Sequence, residues 1–115
     1  MIVRRSFDFE AAHKLPHHPG KCRELHGHSY RLVVSVDRPV DRDSGLAIDF
    51  ADLKQIVRTR VVDVLDHKYV NDLIDNPTAE VMAVWIWQRL EIELTGLVEI
   101  ELNETRNCSV VYRGR

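Results

Sequence analysis

The segment "KCRELHGHSY" (residues 21–30) places a cysteine four residues before a His-Gly-His. His26 and His28 are two apart, and residues two apart on an extended strand point to one face. Both imidazoles can then reach a single ion. His13 closes an earlier alternating segment, and a hairpin-like loop between the two would bring it beside the pair. Three histidines with an open fourth position form the usual ligand set of a catalytic zinc site. Taken alone, each His is more readily a surface or hydrogen-bonded residue. A His-x-His on a strand, with a third His at a strand end, points to a metal.

Three further positions could do chemistry. Most free cysteines are small buried hydrophobes, but Cys22 sits among Pro, Gly, His and Lys, and its neighbours Lys21 and Arg23 favour a thiolate. As a fourth ligand it would instead close the site and make the zinc structural. Asp66-His67 falls at the end of a helical pattern, where Asp can fix the imidazole tautomer and make His67 an acid or base. A histidine that merely complements the helix dipole is the alternative. Glu104 shares parity with Val98, Ile100 and Leu102. A carboxylate ending an apolar stripe is costly without donors, so it is either a solvated rim residue or an anchor for paired N–H groups. Cys108 reads as strand packing, and His17 and His18 as loop residues.

The elements that must position these groups follow from periodicity. Residues 2–13 alternate, with Phe7, Phe9, Ala11 and His13 on one face. Residues 14–26 carry Pro16, Pro19 and Gly20 and read as a loop. Residues 27–38 read as a second strand, followed by a turn at "PVDRDSG". Asp49 caps a helix whose apolar positions are Leu53, Ile56, Val57, Val61, Val64 and Leu65. "DHKYVNDLIDN" connects it to a second helix opened near Pro77, with Val81, Val84, Trp85 and Leu90 as its expected buried face. Strands at 97–106 and near 108–113 complete a β-β-α-α-β-β order. This is an α+β domain with two helices on one face of an antiparallel sheet.

With 115 residues, one domain spanning 1–115 is expected. A net charge of -2 gives no electrostatic case for nucleic acid. No apolar run approaches the ~20 residues of a membrane span, and the N-terminus lacks the apolar core of a signal peptide. The cytoplasm is the expected compartment, and its reducing character argues against a Cys22–Cys108 disulfide.

Over essentially its whole length the chain resembles the 6-pyruvoyltetrahydropterin synthase / 6-carboxytetrahydropterin synthase family. The matching segments are "FDFEAAHKLP", "KCRELHGHSY", "GLAIDFADLK", "LDHKYVND", "NPTAEVMAVWIW" and "NETRNCSVVYRG". The spacing of Cys22 to the His-Gly-His is more similar to the carboxy branch, which serves queuosine and related deazapurine synthesis. The resemblance implies a tunnelling fold whose subunits form rings with ligand sites between them, here expected as a homohexamer of two trimers. It further implies zinc on His13, His26 and His28, Cys22 as the thiol that moves a substrate proton, and His67 backed by Asp66 as the partner acid/base. Glu104 becomes the pterin anchor and a further catalytic residue, at a position matching the proton relay. Asn103 stands where many relatives carry a basic residue, which alters only the electrostatics around Glu104. The implied substrate is 7,8-dihydroneopterin triphosphate, converted to 6-carboxytetrahydropterin with loss of triphosphate and acetaldehyde. Triphosphate elimination without carbon–carbon cleavage is the nearest alternative, and a non-catalytic zinc-stabilised binding domain is the next.

Overall fold

The computed structural model describes residues 1–115. Strand β1 (Ile2–His13) and strand β2 (His26–Asp37) form a long antiparallel hairpin, in register from Ile2↔Asp37 to His13↔His26. Helix α1 covers residues 50–65 in three consecutive pieces, Phe50–Val57, Arg58–Val62 and Asp63–Leu65, the middle one wound as a π-helix. Two residues, Lys68–Tyr69, form strand β3, and helix α2 is Ala79–Leu90. Strands β4 (Leu97–Asn103) and β5 (Ser109–Tyr112) end the chain.

The sheet order is β3-β1-β2-β4-β5. It is α+β as expected, with one correction: β3 runs parallel to β1, so the sheet is mixed. A two-residue strand is too short to leave a periodic signal, and the sequence reads there as a connection.

Strand parity sets the two faces. Phe7, Phe9, Ala11 and His13 of β1 and Tyr30, Leu32, Val34 and Val36 of β2 are all buried, joined by Leu53, Val57, Val61 and Leu65 of α1 in one core. Burying each large apolar side chain contributes about 1.5–3 kcal/mol. Asp49 caps α1 by accepting from the Ala51 N–H at 2.8 Å, and Thr78 caps α2 by accepting from the Val81 N–H at 3.1 Å.

Two apolar faces differ from expectation. In α2 the buried residues are Met82, Ala83, Ile86, Trp87 and Leu90, while Val81 is exposed and Val84 and Trp85 are half-buried. The helix is apolar nearly all round, so contacts with neighbouring elements set which face is buried. Trp87 stands edge to face with Tyr112 of β5 at 5.5 Å, and Arg89 Nε–H donates to the Arg60 carbonyl of α1 at 2.6 Å. In β4 a bulge opposite Ser35 and Val36 shifts the register, pairing Ser35 with Glu99 but Val36 with Leu97. Leu97 therefore packs on the core, and Val98 lines an outer-face cleft with Arg4, Ser35 and Glu99. Cys108 lies before β5 and is exposed.

A candidate metal centre at the open end of the hairpin

The β1–β2 register makes His13 and His26 direct partners and puts His28 on the same face two residues on. Ligand nitrogens of all three lie within 4.8 Å of one another. The rings stand edge to face, with centroids 4.6, 5.1 and 4.8 Å apart. His13 is fully buried and closes the floor, while His26 and His28 are half-buried.

Hydrogen bonds fix two of the tautomers. His13 Nδ1 lies 2.8 Å from the Pro77 carbonyl, and His26 Nδ1 lies 2.8 Å from the Glu24 carbonyl. A carbonyl only accepts, so each Nδ1 carries the proton and each Nε2 presents a lone pair. Those two Nε2 atoms face each other at 3.0 Å. A metal ion between them, or a proton shared by the two rings, relieves the opposed lone pairs. His28 Nε2 is buried with no hydrogen-bond partner. Two nitrogens on a tetrahedral ion at ~2.0–2.1 Å stand about 3.3 Å apart, near the observed spacing. The residues thus fit a metal.

Electrostatics favour the same reading. Burial pushes His13 and His28 below the usual histidine value of 6.5, with Glu104 opposing it in part. His13 and His28 are therefore neutral and ready to ligate at neutral pH. Glu104 Oε1 lies 3.6 Å from His28 Nε2, and Glu104 Oε2 lies 4.0 Å from His13 Nε2. Behind the rings, Tyr30 stacks on Phe9 and its hydroxyl approaches His13 Nδ1 at 3.3 Å. Burial holds that phenol protonated. Sequence reading passed over Tyr30, although it continues the parity of His26 and His28. Pro77 and Glu24 act through main-chain oxygens, which side-chain type cannot announce.

Cys22 is half-buried in a single 3-10 turn, Lys21–Arg23, and its carbonyl accepts from Leu15 N–H at 2.9 Å. Its sulfur is outside the three-imidazole cluster. A cleft of about 430 Å³ beside the centre is lined by Cys22, Glu104, Thr78 and Cys108, among others. Asp66 and His67 lie elsewhere. Asp66 Oδ1 accepts from Glu10 N–H at 2.9 Å and sits 3.0 Å from His67 Nδ1. His67 has a positive φ of 59° and a side chain 78% exposed, and it lines a second cleft of about 480 Å³ with Glu10, Gly27, His28 and Tyr69. Within one chain, Cys22 and Glu104 share a cleft, and His67 is not in it.

The 6-pyruvoyl tetrahydropterin synthase family model matches residues 2–115, and the chain belongs to that family. It is 42% identical to 6-carboxy-5,6,7,8-tetrahydropterin synthase of Synechocystis sp., over 96% of this chain and 92% of that one. It is 38% identical to 6-pyruvoyl tetrahydrobiopterin synthase of Dictyostelium discoideum, over 83% of this chain and 75% of the other. The solved 6-pyruvoyl tetrahydropterin synthase of Caenorhabditis elegans superposes with a TM-score of 0.90 at 26% identity, covering 100% of this chain and 96% of that one.

Proposed function

We propose that the protein is a zinc-dependent 6-carboxy-5,6,7,8-tetrahydropterin synthase. It takes 7,8-dihydroneopterin triphosphate and water to 6-carboxytetrahydropterin, acetaldehyde and triphosphate, in the service of queuosine-type deazapurine synthesis. The observation that carries the metal half of this reading is the pair of opposed Nε2 lone pairs on His13 and His26. The carboxy product is supported by the 42% identity to the Synechocystis enzyme.

His13, His26 and His28 would hold the zinc, and imidazole donors suit that ion. Bound there, it would supply Lewis acidity toward the hydroxyl oxygens of the substrate side chain. Glu104 accepts the amino group and ring N–H of the pterin as a charge-assisted pair. Cys22 moves a proton on one side of the substrate side chain, free to do so because it is not a ligand. His67, oriented by Asp66, moves a proton on the other side. His67 lines one cleft with His28 and Cys22 lines another with Glu104, and in the proposed ring a second copy of the chain supplies His67 to the Cys22 side.

That requirement fits a ring-forming homo-oligomer, a hexamer of two trimers. The sheet face away from the helices carries Arg4, Ser6, Asp8 and Arg31, all exposed. Its edges end in the short strands β3 and β5, and natural proteins commonly pair or cover such edges. Light scattering that finds a stable monomer at micromolar concentration removes this part of the proposal. The substrate is a small molecule, and no helix is long and apolar enough to cross a membrane. We place the enzyme in the cytoplasm.

The 38% identity to the Dictyostelium enzyme supports a second reading, triphosphate elimination that keeps every side-chain carbon. Measuring acetaldehyde in the product mixture separates the two.

A further inference from the structure

We infer that Asn71 is a positioning residue for the metal centre: it locks the end of β1 so that His13 is held in ligating geometry, although Asn71 itself touches no ligand atom. The inference rests on the metal reading above.

His13 is the last residue of β1, and Lys14 follows it with no strand partner on the β3 side. β3 pairs only with Ala11 and Ala12, because the chain turns into a 3-10 turn at Val70–Asp72. Asn71 lies in that turn. Its Oδ1 accepts from Lys14 N–H at 3.0 Å, and its Nδ2 donates to the Lys14 carbonyl at 2.8 Å. The amide orientation is fixed, since a backbone N–H only donates and a carbonyl only accepts. One side chain thus supplies both bonds of a missing ladder pair and carries the β3 edge past the point where the main chain leaves it.

The same connection grips β1 on the other side of His13. Glu10 is held through both main-chain groups: its N–H reaches Asp66 Oδ1 at 2.9 Å, and its carbonyl accepts from His67 N–H at 2.6 Å. Further along, the Pro77 carbonyl takes the His13 Nδ1–H. Residues 66–77 therefore hold β1 before His13, after it and at its ring. A ligand backed by partners of this kind depends on them, and their loss commonly costs 10–100-fold in metal affinity.

Two readouts test this. One is the zinc dissociation constant from competition with a chromophoric chelator. The other is the His13 Nδ1–H proton resonance in metal-free protein, which exchanges slowly only while its bond to Pro77 persists. We expect Asn71→Ala to weaken zinc binding about 10–100-fold and to broaden or erase the resonance. Asn71→Asp keeps the acceptor for Lys14 N–H but sets a carboxylate oxygen against the Lys14 carbonyl, so it should weaken zinc binding as Asn71→Ala does; it decides the matter if Asn71→Ala does not fold. Ile100→Val trims the core in β4 and controls for lost stability: it should lower the melting temperature and leave both readouts unchanged. Wild-type zinc affinity together with a sharp His13 resonance in a folded Asn71 variant would overturn the inference. If the wild-type protein binds no zinc, the metal reading fails on its own, and the resonance still reports whether Asn71 positions His13.

Discussion

Glu104 Oε1 lies 3.6 Å from His28 Nε2, the one buried side-chain nitrogen or oxygen without a hydrogen-bond partner. A carboxylate is thus set against the metal-facing side of the imidazole cluster, yet a quarter of its side chain remains exposed toward the cleft that Cys22 also lines. Glu104 follows the last residue of β4, and its N–H donates to the Cys108 carbonyl at 3.1 Å, so the 104–108 turn fixes where it points.

Glu104→Gln tests its role as pterin anchor. The amide keeps the size of the side chain but turns a donor toward the substrate N–H. We expect zinc content to be unchanged and affinity for a non-reactive pterin to fall by about 1.5–3 kcal/mol, the worth of a hydrogen bond to a charged group. Titration of the zinc-loaded variant reads this directly, and wild-type affinity would leave Glu104 as a solvated strand end.

His28→Ala removes one of three ligands from a preformed pocket while leaving the β1–β2 pairing intact. The expected result is loss of bound zinc and of turnover, with far-ultraviolet circular dichroism close to wild type. Retention of one zinc per chain would contradict the ligand assignment.

Cys22→Ala separates catalysis from metal binding. The sulfur is outside the imidazole cluster, so elemental analysis should find wild-type zinc while turnover is lost. Zinc lost along with the thiol would favour a structural site with Cys22 as fourth ligand.

Asp66 gives a pH prediction. Its carboxyl is held below the usual 3.8, chiefly by the Glu10 N–H bond and further by His67. A depressed carboxylate stabilises the fold above its ordinary value, and that contribution fades as pH falls below 3.8 through the lowered one. Asp66→Asn keeps an acceptor for Glu10 without the titration. Melting temperatures measured from pH 5 to pH 3 should therefore fall less steeply in the variant, and parallel curves would remove Asp66 from the acid response.

Much of the site was legible because strand parity is rigid. A period of two placed His13 with the Phe7–Phe9–Ala11 stripe on one face of the first strand, and His26 with His28 on one face of the second, before any contact was known. The hairpin register then made His13 and His26 neighbours. What escaped depends on partners rather than period. The bulge at Ser35/Val36 diverted Val98 and brought Leu97 inward. In α2 the contacts of Trp87 with Tyr112 and of Arg89 with the Arg60 carbonyl go with one apolar face among several. The Pro77 and Glu24 carbonyls that orient the imidazoles are common to every residue type. His67 could be recognised as an acid or base, but that it lines a cleft without Cys22 follows from topology.

The most direct measurement incubates the zinc-loaded protein with 7,8-dihydroneopterin triphosphate and follows acetaldehyde through its reduction by alcohol dehydrogenase and NADH, with the pterin products separated by chromatography. We expect one acetaldehyde and one triphosphate per 6-carboxytetrahydropterin formed, with both absent for Cys22→Ala. Triphosphate release with no acetaldehyde and a pterin that keeps all its side-chain carbons would contradict the carboxy assignment and make the protein a pyruvoyl synthase.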